Sequence, residues 1–297
     1  MSSAKRSHLA GWLTGKGIEL GALHQPLAVP PGVEVEYVDR LSVADLRRQY
    51  PELAALDLVP VAHIGSAENL ADVTDSSMDF VVACHVLEHI EDPTRALREI
   101  HRVLRDGGIF FCALPEPRVT FDRERQPTTM EHLVRDHADG STSRREHFVD
   151  WVENVERHQP WWATDRPDPE ERVQLLLEMD YSIHFHVWRP DTFVDYLGAV
   201  RRRDGIEFEL LDFAGCEPGV DDEFIFILRK GVAPVPVTAP SLTRPWTGSA
   251  PASGAVPAAH PQGARQAVRE AVRAGRVAAA SVRAAGQRRL QRARSGH

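Results

Sequence analysis

The chain has 297 residues, 42% hydrophobic and 26% charged, enough for one large domain or two small ones. Its formal charge of −8 argues against a protein that coats nucleic acid over its whole surface. Cys84, Cys112 and Cys216 show no CxxC spacing, which excludes a disulfide scaffold or a cysteine-based zinc module. No apolar run approaches the ~18 residues of a membrane span, and the basic residues of 1–8 have no apolar stretch behind them, so no secretory signal is expected and the cytoplasm is the expected compartment.

Strand and helix signals alternate from the start. Residues 17–21 end a short strand, and 33–39 alternate cleanly as a second. A helix follows over 42–50, with Ser42 as its N-cap. Residues 58–64 read as a third strand and 79–84 as a fourth, apolar throughout as a buried parallel strand should be. Helical spacing over 93–104 (Ala96, Leu97, Ile100, Val103, Leu104) stops at Gly107-Gly108, and 109–114 form a fifth strand. This repetition predicts an α/β fold with a doubly wound parallel sheet.

The next stretch, 116–189, is unlike the sheet units: acids, arginines, histidines and tryptophans are mixed throughout. It predicts helices over 130–136 and 143–156, a Trp161-Trp162 pair, and a strand over 181–188 in which His184 and His186 share one face. A helix over 190–197 and two antiparallel strands over 208–213 and 222–228 complete the body, residues 1–231. Residues 232–263 are rich in Pro, Ala, Ser and Gly and read as a flexible linker. The tail, 264–297, holds nine arginines and one acid, Glu270, a local charge of +8 that leaves −16 on the rest. Arg265, Arg269, Arg273, Arg276 and Arg283 fall on one side of a helical wheel, but the apolar side is only Val and Ala, too thin to grip a bilayer. Docking to nucleic acid or another anionic partner through this tail is one reading, and a solvated appendage is the other.

In a doubly wound sheet, ligands sit beyond the carboxyl ends of the strands where the strand order reverses. Three such ends carry informative residues. After the first strand come Glu19, Leu20, Gly21 and Ala22, where Gly21 permits close backbone approach, yet there is no GxGxxG and an NAD-type loop is disfavoured. Asp39 ends the second strand twenty residues after Glu19, placed to take both hydroxyls of a ribose, or simply to open a surface turn. Cys84 and His85 follow the fourth strand.

The series Gly17-Ile18-Glu19-Leu20-Gly21, Tyr37-Val38-Asp39, Ala67-Glu68-Asn69-Leu70, Asp79-Phe80-Val81-Val82, Val86-Leu87-Glu88-His89-Ile90 and Arg102-Val103-Leu104-Arg105-Asp106-Gly107-Gly108 resembles the class I S-adenosylmethionine-dependent methyltransferases, over roughly a third of the chain. The resemblance implies a Rossmann-like methyltransferase sheet with S-adenosyl-L-methionine as cofactor. Glu19, Gly21 and Ala22 would lie beside its methionine part, Asp39 and Arg40 at the ribose, Ser66 and Ala67 at the adenine, and Cys84 and His85 near the sulfonium. Two departures stand out: the first loop lacks the second and third glycines of many members, and Ser66 replaces an acid.

Methyl transfer from a sulfonium is an in-line displacement, so the protein mainly aligns acceptor, methyl and leaving sulfur. A hydroxyl acceptor profits from a base, for which His85, His184 and His186 are the candidates. A metal would need at least one more ligand than the histidine pair offers and a defined geometry, which the sequence does not show, and none is assigned. The same resemblance implies that the insertion closes over the acceptor as a lid, for which Arg144, Arg145 and His147 are the candidate contacts to an anionic group; a solvated helical cap is the bland alternative. The leading expectation is an enzyme that methylates a small-molecule or glycan acceptor at oxygen. A nucleoside-binding module that recruits a partner through its basic tail is the second, and a nicotinamide-dependent oxidoreductase the third.

Overall fold

A computed structural model describes residues 3–50 and 55–231; the expected linker and basic tail lie outside the described residues. Seven strands, β1 (Lys16–Leu20), β2 (Glu34–Asp39), β3 (Val61–Ile64), β4 (Met78–Cys84), β5 (Leu104–Pro115), β6 (Phe208–Ala214) and β7 (Glu223–Lys230), form one sheet in the order β3-β2-β1-β4-β5-β7-β6. The first five run parallel, and β7 lies antiparallel between β5 and β6. The third strand is shorter than the 58–64 expected, because Pro60 has no N–H to give a ladder and pairing with β2 begins at Val61.

Alternation along β4 decides the layering. Val81 and Ala83 face one core while Phe80 and Val82 face the other, none more than 1% exposed. A strand apolar on both faces must be covered on both. One face is covered by α3 (Pro93–Val103) and α8 (Pro190–Asp204), through Ala96, Leu97, Ile100, Phe193, Tyr196 and Val200. The other receives Leu9, Ala10 and Leu13, at the end of α1 (Ser3–Leu9) and the turn after it.

Caps set the helix starts. Ser42 accepts from Asp45 N–H at 3.2 Å and opens α2 (Val43–Gln49), and Asp92 accepts from Arg95 N–H at 2.9 Å ahead of Pro93. Gly107 and Gly108 do not end α3 as expected. The helix stops at Val103 because Leu104 turns extended and pairs with Met78. The glycines lie in a bulge that follows, where β4 advances two residues and β5 five before Phe80 meets Ile109.

The insertion builds a core of its own. It contains α4 (Met130–Asp139), α5 (Arg144–Asn154), α6 (Pro160–Asp165) and α7 (Pro169–Glu178), with Phe148, Trp151, Val152, Val173, Leu176, Ile183 and Phe185 packed together. The expected strand over 181–188 is absent. That segment is extended but belongs to no sheet: Phe185 N–H bonds Glu88 O at 2.7 Å, and Val187 exchanges bonds with Thr128. Residues 183–188 are all buried, so the HFHVW pattern reflects burial on every side rather than one polar face. The two imidazoles accordingly join different clusters, described below.

Candidate functional site

The strand order reverses between β1 and β4, and a crevice of about 570 Å³ opens at the carboxyl ends of β1 to β4, within the range of small-ligand pockets. Gly21 forms its floor with φ +61, its N–H donating to Val38 O at 2.9 Å. An added Cβ would sit 3.4 Å from Val86, so the left-handed backbone, more than space, demands glycine here. Asp39 reaches the crevice from the tip of β2, held by the N–H groups of Leu41 and Arg40; burial pushes its carboxyl above the ordinary value. Arg40, Ser66, Ala67 and His85 also line the crevice.

The remaining expected cofactor residues stand behind this surface. Glu19 is fully buried on β1, and both its oxygens accept from Leu27 N–H, at 3.0 and 3.1 Å. It thereby ties down the loop that follows Gly21. Burial outweighs these bonds and the nearby Arg6, so its carboxyl rises from 4.5 to about 7. Ala22 is buried within the loop, and the Cys84 thiol is pushed up by burial and by neighbouring carboxylates, which keeps it protonated.

His85 has a left-handed backbone, φ +56, with its N–H on Ala113 O at 3.0 Å. Its ring lies between two buried carboxylates, Nε2 3.0 Å from Glu223 and Nδ1 3.4 Å from Glu88. Burial opposes its charge, but the two carboxylates prevail and carry its pKa up to about 10. Arg6 grips the same Glu223 through Nε at 2.9 Å and Nη2 at 2.6 Å. The result is a charge-balanced row, Arg6–Glu223–His85–Glu88, beneath the crevice. His85 is therefore a fixed cation with both nitrogens engaged.

His89, which also lines the crevice, has the opposite character. Its Nδ1–H donates to Ile183 O at 2.8 Å, and burial together with nearby His184 lowers its pKa to about 4. It is neutral, with Nε2 carrying the lone pair. His184 and His186 do not line the crevice: His184 bonds Asp122 through Nδ1 at 2.7 Å, and His186 lies fully buried deeper in the insertion.

The insertion closes one side of the crevice with Arg144, Asp180, Tyr181, Ser182 and Phe185. Arg144 pairs with Glu91 and with Asp180, and Asp180 in turn pairs with Arg40 at 3.3 Å. Charges from the sheet and from the insertion thus meet across the rim. Of the three expected acceptor contacts only Arg144 is at the crevice. Arg145 pairs with Glu170 on the far surface, and His147 is buried against Asp136.

Sequence reasoning did not reach Arg6 or Glu223, which lie at opposite ends of the body and carry no local signal. Ser182 lies in the segment expected as a strand and Asp180 just before it, where nothing local marks a crevice residue. Glu88 and His89 were in view within the Val86–Ile90 series, but nothing local shows that one is buried as an anion and the other as a neutral ring.

Residues 20–112 match the family model described as a methyltransferase domain. A probable S-adenosylmethionine-dependent methyltransferase of Mycobacterium tuberculosis is 34% identical over 114 residues, 37% of this chain and 37% of the relative. A thiol S-methyltransferase of Mus musculus is 44% identical over 48 residues, 16% of this chain and 20% of its own. The chain thus matches little more than a third of the length of the first of these curated relatives. Among solved structures, a SAM-dependent methyltransferase from Methanosarcina mazei aligns with a TM-score of 0.42 at 16% identity, covering 76% of this chain and 98% of its own. One from Aquifex aeolicus aligns with a TM-score of 0.40 at 11% identity, covering 77% and 89%.

Proposed function

We propose that this chain, whose residues 20–112 match a family model described as a methyltransferase domain, transfers a methyl group from S-adenosylmethionine to a small-molecule or glycan acceptor, at oxygen. The observation that carries the reading is the crevice at the β1/β4 switch point with Asp39 at its edge and Gly21 on its floor. A diol-bearing nucleoside suits a carboxylate held only by backbone N–H groups, and the missing Cβ at Gly21 leaves room for close approach. When bound, S-adenosylmethionine supplies a methyl already activated on a sulfonium.

The protein's own contribution is alignment and exclusion of water. The Arg6–Glu223–His85–Glu88 row makes His85 a positioning residue in this proposal: it locks the backbone after β4, and its engaged nitrogens are not available as a base. His89, neutral on the crevice wall, is the histidine left to take up the hydroxyl proton, and its lowered pKa makes it a weak base that acts only as the oxygen's attack acidifies the hydroxyl. Arg144 binds an anionic group of the acceptor by exchanging one of its carboxylate partners, Glu91 or Asp180, for it. Cytoplasmic residence remains part of the same proposal. Among the described residues no helix is long and apolar enough to cross a membrane.

Calorimetry with S-adenosylmethionine, S-adenosylhomocysteine and NAD tests the reading, followed by a screen of sugar and small-molecule acceptors with methyl-labelled donor. Binding of both adenosyl ligands at one site per chain and labelling of an oxygen are the expected results. Tight binding of NAD alone would overturn it, and transfer to nitrogen or sulfur would overturn the assignment to oxygen.

A further inference from the structure

Behind the crevice wall, four side chains of the insertion converge. His132 and Asp136 lie one turn apart on α4, His147 comes from α5, and His186 from the extended segment 181–189. Asp136, His147 and His186 are buried. His132 Nε2 and His147 Nε2 each stand 3.1 Å from the same oxygen, Asp136 Oδ2, and 3.3 Å from one another; His186 Nε2 is 3.8 Å from that oxygen. Four ligands on a tetrahedral ion with bonds of about 2.0 Å are spaced about 3.3 Å apart. The three atoms of His132, Asp136 and His147 have nearly that spacing, and all four residues offer a ligand atom within 4.8 Å of the others.

Hydrogen bonding alone leaves this group poorly satisfied. Two imidazole nitrogens face each other at 3.3 Å while competing for one carboxylate oxygen. His186 Nδ1 is buried with no partner at all, while its Nε2–H donates to Glu91 O at 3.1 Å, so Nδ1 is the nitrogen left with a lone pair to ligate. The outer contacts of His147 and Asp136 suit ligands instead. His147 Nδ1–H donates to Phe185 O at 3.0 Å, leaving its Nε2 lone pair facing inward, and Ser143 Oγ–H holds Asp136 Oδ1. A second ring nitrogen pinned on a backbone carbonyl, and a carboxylate fixed through its other oxygen, are the usual supports of metal-bound side chains.

We propose that His132, Asp136, His147 and His186 bind one divalent transition-metal ion of the zinc type. Three imidazoles and one carboxylate suit zinc, and four protein ligands in a buried setting make a closed, structural site rather than one that activates water. The ion staples α4 and α5 to the segment 181–189. Two residues tied into the cluster by their carbonyls, Glu91 and Phe185, line the crevice, so the metal fixes the wall against which an acceptor rests. The neighbouring trio Glu88, His89 and His184 offers only three ligands and is the natural control.

The test uses the full chain, purified without a histidine tag and without chelator, with metal content measured by mass spectrometry. The protein stripped by EDTA is then titrated with Zn²⁺ and Co²⁺. One zinc-type ion per chain, a Tm that falls on stripping and recovers with Zn²⁺, and the intense visible bands of tetrahedral Co²⁺ are the expected results. His186→Ala abolishes stoichiometric binding. Ser143→Ala, which leaves all four ligands in place, weakens it by about 10- to 100-fold and serves if the histidine variant does not fold. Substoichiometric metal together with no Zn²⁺ or Co²⁺ binding by the stripped protein would overturn the proposal. So would metal retained in His186→Ala and Ser143→Ala at wild-type affinity but lost in His89→Ala.

Discussion

Glu19 offers a quantitative check on the buried electrostatics behind the crevice. Its carboxyl is fully buried, accepts only from Leu27 N–H with the Arg6 charge nearby, and holds its proton up to about pH 7 instead of 4.5. In the unfolded chain the same group ionises near 4.5, so the folded state binds more protons through the window between these values. Its contribution to stability is fully present below pH 4.5 and is lost as pH rises through 7, an amount of about 3 kcal/mol from the two pKa values. Glu19→Gln keeps the shape and one acceptor for Leu27 N–H but cannot ionise. The difference in unfolding free energy between variant and wild type, from urea melts at steps from pH 4.5 to 8, cancels groups common to both. It should move by about 3 kcal/mol in favour of the variant across that range. Two curves that stay parallel would refute the reasoning, because a carboxylate that ionises at its ordinary pH cannot be desolvated in this way.

Three further outcomes follow from the described contacts. Arg6→Ala leaves the fully buried Glu223 carboxylate with His85 as its one remaining cationic hydrogen-bond partner among the described residues and should cost about 3–5 kcal/mol in a urea melt; a loss below about 1 kcal/mol would mean the row is not held by that pair. The His85 ring should still be imidazolium at pH 8 by nitrogen chemical shift, because its stabilisation by Glu223 and Glu88 persists until the pH passes its value of about 10; a neutral ring at pH 8 would contradict the arrangement. Phe148→Ala empties the centre of the insertion's core, with an expected loss of about 3–5 kcal/mol and faster proteolysis within 116–189; unchanged melting and cleavage would show that this core does not hold the insertion together.

The parallel sheet was legible because its strands are apolar or alternate cleanly and are followed by punctuation. β4 announces burial on both faces, Ser42 and Asp92-Pro93 announce helix starts, and the strand ends place Gly21, Asp39, Ser66, Ala67 and His85 at one crevice. The end of α3 misled because a glycine pair close after a helix is also what a strand bulge needs, and only the pairing of Leu104 with Met78 distinguishes the two. The insertion was harder. Residues 181–188 alternate like a strand, yet the N–H groups of Phe185, His186 and Val187 go to Glu88 O and Thr128, contacts set by tertiary packing. The helix Pro169–Glu178 was overlooked although Asp168-Pro169 is a helix-start signal. Pairings such as Arg6 with Glu223, and His132 and Asp136 with His147 and His186, join residues whose neighbours in sequence carry no trace of them.

The account depends most on adenosyl binding at Asp39. Calorimetric titration of S-adenosylhomocysteine into the wild type and Asp39→Ala tests it directly: one site per wild-type chain is expected, with affinity weaker by about 1–3 kcal/mol in the variant. Equal affinity in the two proteins, or no binding to either, would contradict it.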